Sequence, residues 1–236
     1  MHILKNLFIV VFLSFLFSIK GEAQTTEQSD FSGLKKCTVF SAGDDNVNSY
    51  RIPSLLTTKD GTLLVFCEAR RDSWRDKSRT DIVVKRSEDT GKTWSVMQDL
   101  TQGITGAYMD PTPILDSITG RIFLFTTFWP SEDHSGTKNR AILITSDDNG
   151  KTWSSPVDVT STIIPAGYHI VGFGPGAGLQ MSGKQFKERL VLPTRVVDSE
   201  RKSAHNVAIY SDNHGRTWTM GGKGDTGDEF QIAESP

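Results

Sequence analysis

Arg51, Glu68 and Arg70 have chemical types suited either to a charged ligand or to ion pairs, and the last two have the spacing of one strand face. A guanidinium is permanently charged and presents a planar fork that fits a carboxylate, so Arg51, within Ser49-Tyr50-Arg51-Ile52-Pro53-Ser54-Leu55, suits a ligand acid; alone, such an arginine serves equally well in a surface ion pair. Glu68 and Arg70 close the run Thr62-Leu63-Leu64-Val65-Phe66-Cys67-Glu68-Ala69-Arg70. Two apart on a strand, they share a face, and they either point together into a pocket or pair with each other. The loop that follows carries two carboxyls, Asp72 and Asp76, among Arg71, Arg75, Lys77 and Arg79. It is either a solvated charged loop or the place of a proton donor, and a donor here must be desolvated or screened when a ligand is bound.

The elements that position these residues are announced by a repeat. Ser87-Glu-Asp89-Thr-Gly91-Lys-Thr93-Trp94, Ser146-Asp-Asp148-Asn-Gly150-Lys-Thr152-Trp153 and Ser211-Asp-Asn213-His-Gly215-Arg-Thr217-Trp218 recur at intervals of 59 and 65 residues. Each follows a β-like run: 81–86, 139–145 and 205–210. Asp or Asn at the third position accepts hydrogen bonds from its own turn, and Gly at the fifth takes a positive φ without steric cost, so each octapeptide is expected to be a hairpin turn. Thr and Trp then begin the returning strand, with the tryptophans as packing anchors of successive units.

Strand signals run from Thr38 onward between turn signals at Lys59-Asp60-Gly61, 116–120 and 181–183, and no segment has the pattern of a long amphipathic helix. Short strands in a repeat of about 60 residues predict an all-β fold, a β-propeller of four-stranded blades. A β-sandwich gives no reason for one turn to recur, and a β-helix repeat is much shorter. Blades of this size imply only about three to four here, so the chain is expected to be the front part of a longer propeller.

The 236 residues, 36% hydrophobic and 23% charged with a formal net charge of -2, describe a folded protein with no electrostatic case for nucleic acid. Residues 1–23, with Lys5 ahead of an apolar run from Leu7 to Phe17 and Gly21-Glu22-Ala23 after it, are expected to be a secretory signal peptide, leaving 24–236 as the domain, with no membrane span, secreted or periplasmic. Cys37 and Cys67 are left open between a disulfide and two thiols, and without a histidine cluster beside them no metal site is expected. The run Gly172-Phe-Gly174-Pro-Gly176-Ala177 holds Pro175 and precedes no helix, so it is a loop of the fold rather than a dinucleotide fingerprint.

Tyr50-Arg51-Ile52-Pro53, the Phe66-Cys-Glu68-Ala-Arg70 strand end and the three Ser-x-Asp-x-Gly-x-Thr-Trp boxes together resemble the exo-α-sialidases (neuraminidases) of bacteria and animals. Tyr108-Met109-Asp110-Pro111-Thr-Pro113, Phe173-Gly174-Pro175-Gly176-Ala-Gly178 and Glu229-Phe-Gln231-Ile-Ala-Glu234 extend the similarity over nearly all of the chain after residue 23. The resemblance implies a six-bladed propeller and a retaining hydrolase of terminal α-linked sialic acids on glycoconjugates, a monomer that needs no cofactor. It implies Arg51 as the first of three arginines gripping the sugar's carboxylate. Glu68 and Arg70 would face the pocket, and Met109 and Asp110 would line the N-acyl and C4 region. Asp76, with Asp72 as competitor, would be the acid/base, and Glu234 the base of a tyrosine nucleophile. That tyrosine and two further arginines would come later than residue 236, so residues 1–236 alone are expected to be inactive. Leu190-Val-Leu-Pro-Thr-Arg195 departs from the animal enzymes, which place aromatics after the proline. Two rivals remain: a non-catalytic propeller that binds glycans or proteins, and a trans-sialidase with the same residues and a different acceptor.

Overall fold

A computed structural model describes residues 36–236 except 103–105, 134, 225 and 236. The expected signal peptide at 1–23 lies outside them. Among the described residues no helix is long and apolar enough to cross a membrane.

Three blades follow one another within the unit Cys37–Pro236. The first is β1 (Ser49–Thr57), β2 (Leu63–Arg70), β3 (Thr80–Ser87) and β4 (Gln98–Asp99), each antiparallel to the next. The second repeats the order with β5 (Gly106–Leu115), β6 (Ile122–Pro130), β7 (Arg140–Ser146) and β8 (Val157–Asp158). A single helical turn, α1 (Thr160–Ile163), leads to the third. There the inner position is shared by β9 (Tyr168–Phe173) and β10 (Leu179–Gln180), both paired to β11 (Leu190–Asp198), with β12 (Ala204–Ser211) and β13 (Thr219–Lys223) outside.

The expected propeller architecture is thus present as three blades, and the middle one shows why the strands read as strands. Its β6 is buried on both faces, so alternate residues serve different neighbours. Ile122 and Leu124 pack with Leu64, Phe66, Ile82 and Val84 of the first blade, whereas Phe123 and Phe125 pack with Phe173, Leu192 and Ile209 of the third.

The octapeptides are turns between the third and fourth strands, and each is closed by its own side chains. In the second, Asp148 Oδ1 accepts from the backbone N–H of Lys151 (3.0 Å) and Thr152 (2.9 Å), its Oδ2 takes the Thr152 hydroxyl (2.6 Å), and Ser146 Oγ takes the Gly150 N–H (3.0 Å). Those bonds favour the ionised acid and hold Asp148 down at about 2 against the effect of burial. The third box keeps the same turn with an amide: Asn213 Oδ1 accepts from Thr217 N–H (2.9 Å) and its Nδ2 donates to the Thr217 hydroxyl (2.8 Å). Trp153 then stands edge-on to Phe66 of the preceding blade with ring centroids 5.6 Å apart, and Trp218 does the same to Phe125 at 5.0 Å.

The returning strands begin later than the pattern predicts, at Gln98 and Val157 rather than at the Thr-Trp pairs. A serine after each of these two tryptophans explains the delay: Ser95 Oγ and Ser154 Oγ accept the N–H of Arg86 and Thr145, both at 3.0 Å, where a strand carbonyl would otherwise stand.

The inner strands meet one another and are irregular at one end. Ser54 Oγ donates to Gly176 O (2.7 Å), Thr112 Oγ1 to Gly174 O (2.9 Å) and Gly178 N–H to Pro113 O (2.9 Å), which ties β1 and β5 to the loop between β9 and β10. In β1, Ile52 and Pro53 stand opposite Cys67 alone; in β5, Asp110 and Pro111 stand opposite Thr126 alone. Ile52 (φ 52°) and Asp110 (φ 58°) are left-handed immediately before a proline, a conformation held by its surroundings. The two cysteines are free thiols, Cys37 exposed and Cys67 buried, with burial pushing the Cys67 thiol up to about 12.

Candidate active site

Along β2, the side chains facing the second blade are Leu64, Phe66, Glu68 and Arg70, so an apolar stripe becomes a charged one at the irregular end. Glu68 and Arg70 are 0% and 1% exposed. Two buried charges cost several kcal/mol each in lost hydration unless their hydrogen bonds are filled, and here they are. Glu68 Oε2 accepts from Arg70 Nε (3.0 Å) and Nη2 (2.7 Å), while Oε1 accepts the backbone N–H of Asp110 in the second blade (3.0 Å). Burial pushes the Glu68 carboxyl up, and the Asp110 N–H and the guanidinium push it back. The two residues share a face as expected, and they form a local pair that also reaches outward.

That outward reach is Arg70 Nη1, which lies 2.6 Å from Trp74 O and 2.7 Å from Asp76 Oδ1. Arg51 is the cross-strand partner of Glu68 and therefore lies on the same face, its Nη1 3.4 Å from the same Asp76 oxygen. Asp76 thus sits between two guanidiniums with its carboxyl 63% exposed, whereas Asp72 is turned away to Arg79 (3.3 Å). Of the two loop carboxyls, Asp76 is the one brought to Arg51 and Arg70. Arg71 is also spoken for, by Asp81 and Asp99.

From the second blade, Met109 is half-buried, and its carbonyl accepts the Thr126 hydroxyl at 2.5 Å. Asp110 lies deeper than a residue lining an open wall, at 7% exposure. Burial and the charge of Glu68 drive its carboxyl up to about 7, with Glu229 and Asp76 adding to the rise and Arg195 opposing it. A Cβ on Gly172 would stand 2.7 Å from Asp110 Oδ2, so the third blade must be bare at this point for the carboxyl to fit.

Glu234 does not join this group: its carboxylate accepts Ser182 N–H (2.9 Å), Ser182 Oγ (2.7 Å) and Gly183 N–H (2.7 Å), and those donors capture it on the turn after β10 and lower its pKa. Adding to the larger effect of Glu68, the charge that reaches Asp110 from this last segment is that of Glu229. Its neighbours are held in place by close approach, since a Cβ on Gly174 would meet Phe230 O at 2.3 Å and one on Gly176 would meet Gln231 Nε2 at 2.3 Å. Asp228 pairs with Arg195, whose guanidinium stands over Gly172. Glu229, Asp228 and Arg195 were not singled out from the sequence; the glycine pair at 174 and 176, which admits backbone contact, was the available signal.

The four tyrosines are engaged elsewhere. Tyr50 donates to Asp44 O (3.2 Å), Tyr108 packs on Phe128, the Lys223 amine lies over Tyr168, and Arg189 lies over Tyr210.

Comparison with known proteins agrees with this architecture. The BNR repeat-like domain family matches residues 52–229. A sialidase of Paraclostridium sordellii is 32% identical over 209 residues, covering 80% of this chain and 50% of that protein. A sialidase of Bacteroides fragilis is 32% identical over 216 residues, covering 82% and 39%. Among solved structures, the Hadza microbial sialidase Hz136 superposes with a TM-score of 0.70 at 29% identity, covering 78% of this chain and 39% of that one. The fold extends to an intramolecular trans-sialidase from Ruminococcus gnavus, with a TM-score of 0.69 at 20% identity, covering 80% and 63%. The chain spans half or less of the length of these two sialidase relatives. With boxes, blades and match in agreement, the chain belongs to the BNR repeat-like family and forms part of a sialidase-type β-propeller.

Proposed function

We propose that these blades carry the acid–base side of an exo-α-sialidase, an enzyme that hydrolyses terminal α-linked sialic acids from glycoconjugates. The observation that carries this reading is the placement of one exposed carboxyl oxygen, Asp76 Oδ1, 2.7 Å from Arg70 Nη1 and 3.4 Å from Arg51 Nη1. Arg51, 46% exposed, has the freedom to turn toward a ligand carboxylate, whereas Arg70 is locked by Glu68 and serves to place Asp76. A purely binding propeller has no need of a fixed cation pair around a loop carboxyl.

In the proposed reaction, Asp76 gives its proton to the glycosidic oxygen as the bond from that oxygen to the anomeric carbon breaks. A tyrosine attacks the anomeric carbon from the opposite side and passes its phenolic proton to Glu229. Water then displaces the tyrosine, with Asp76 taking the water's proton and Glu229 returning its proton to the departing phenolate, and the sugar is released with its configuration retained. A neutral phenol suits this step because a carboxylate nucleophile would face the substrate's own carboxylate. The tyrosine is assigned to chain outside residues 1–236, since the four present here have other partners. Export through residues 1–23 is part of the same proposal, and N-terminal sequencing of the exported protein tests it by finding the mature chain to begin near Gln24.

The test is hydrolysis of an aryl sialoside by the natural full-length polypeptide between pH 4 and 8. Turnover is expected, and Asp76→Ala should lower kcat about a hundredfold or more. No turnover in that range removes the hydrolase reading. Lactose added to the same assay distinguishes transfer from hydrolysis through the appearance of sialyllactose.

A further inference from the structure

The loop between β2 and β3 holds one side chain that the reaction above leaves unused. Trp74 is 65% exposed, while Trp94, Trp129, Trp153 and Trp218 are each half-buried. It packs into none of the buried clusters; its ring meets only the Arg75 guanidinium, 6.0 Å from the centroid, among the described cation and ring contacts. An indole kept in water forgoes roughly 25 cal/mol for every Å² of apolar surface left uncovered, and a loop otherwise built of Arg, Asp, Ser and Lys offers it nothing to pack on.

The residue is nevertheless held firmly. Its carbonyl accepts from Arg70 Nη1 at 2.6 Å, and the carbonyls of its two neighbours, Ser73 and Arg75, both accept from the Ser78 hydroxyl at 3.1 and 2.9 Å. Arg71 N–H bonds Arg79 O at 2.9 Å and closes the loop. The same Arg70 Nη1 that holds the Trp74 carbonyl also holds Asp76 Oδ1 at 2.7 Å, so one buried nitrogen fixes the tryptophan backbone and the proposed proton donor together.

This inference rests on the proposed role of Asp76. A general acid must touch the glycosidic oxygen, so the group attached to the leaving side of that oxygen lies over the acid's own loop. We propose that Trp74 is the floor of the leaving-group subsite and stacks on the first sugar of the aglycone, through the apolar C–H face of a neutral hexose. An aromatic platform adds contact area at little conformational cost because the indole has only two side-chain torsions. Arg75, its guanidinium 6.0 Å from the ring centroid, would bond that sugar's hydroxyls.

Two substrates separate this from the underlying reaction. In α-sialyl fluoride the leaving group is a single atom; in 3′-sialyllactose it is a disaccharide. With the full-length protein, Trp74→Ala is expected to lower kcat/KM for sialyllactose about tenfold, the equivalent of 1.4 kcal/mol, while kcat/KM for sialyl fluoride stays within about twofold. Trp74→Phe should retain most of the sialyllactose activity. Equal losses on both substrates, or an unchanged value for sialyllactose, overturn the subsite. If the unaltered protein turns over neither substrate, the hydrolase reading itself falls and takes the subsite with it; turnover of both with no difference in Trp74→Ala removes the subsite alone.

Discussion

In the second box, every acceptor of Asp148 and Ser146 described above is filled from within eight consecutive residues. At the other end of the blades, Glu68 is satisfied by Arg70 on its own strand and by Asp110 from the next blade, and the Asp110 carboxyl fits only because Gly172 of the third blade has no side chain. The outer turn is local and repeats three times; the inner cluster is assembled once from three blades. A local motif can fold before its surroundings do, whereas the inner charges are stabilised only after the blades have come together. Stability that depends on distant partners is also where a single replacement does most damage.

The largest effect of a replacement is expected at Glu68, on stability and activity together. Replacing it with Ala leaves Nε and Nη2 of a guanidinium that is 1% exposed without their acceptor and should cost about 3 kcal/mol, read as a lower denaturant midpoint. Glu68→Leu combined with Arg70→Met should recover most of that loss while activity stays absent, because Asp76 then loses its holder. A loss below about 1 kcal/mol for Glu68→Ala would erase the contrast between the two ends.

The box tryptophans come next. Trp153 packs on Phe66 and its cluster between the first two blades, whereas Trp94 belongs to none of the three buried clusters. Trp153→Ala should therefore cost about 3 kcal/mol and Trp94→Ala about 1 kcal/mol. Equal losses would show that the turn itself, rather than the inter-blade contact, uses the ring.

Asp110 gives a pH signature. Its folded carboxyl titrates at about 7, above the ordinary value near 4, so between those limits the native state binds more protons than the unfolded one. The stability it contributes is complete below pH about 4 and is lost progressively as pH rises from there through about 7, on the order of 4 kcal/mol in all. Asp110→Asn should flatten that decline, which melts at pH 4.5 and 8 would reveal. A wild-type protein equally stable at both pH values would contradict the placement of this carboxyl.

The smallest change concerns the fourth box position, left-handed in all three copies: Thr90 at φ 62°, Asn149 at 59° and His214 at 59°. Thr is β-branched and Asn tolerates this region, so Thr90→Asn should stabilise the protein by about 0.5 kcal/mol in a denaturant melt.

Legibility followed the same division. The boxes were readable because Asp89, Asp148 and Asn213 each bond their own turn, and the shared face of Glu68 and Arg70 followed from strand alternation alone. The motif around Arg51 and the loop carboxyl at 76 were also legible, and the structure separates Asp76 from Asp72 through the pairing of the latter with Arg79. Glu229 was not. The proposed choice of Glu229 over Glu234 depends on Ser182 and Gly183, 52 and 51 residues from Glu234, holding the latter's carboxylate on a turn of their own. The depth of Asp110 was hidden for a like reason, since it depends on a missing side chain in another blade. The late start of the returning strands escaped because a serine hydroxyl stands in for a carbonyl, a substitution invisible to strand patterning.

The one-residue slips at Ile52-Pro53 and Asp110-Pro111 have a further consequence for how such a fold diversifies. A slip acts as a seam: above it the chain is free to swap, lengthen or recharge its residues, and below it Phe66 and Phe125 resume their pairing undisturbed. New specificities can then be tried on one scaffold without recutting the joints between its blades.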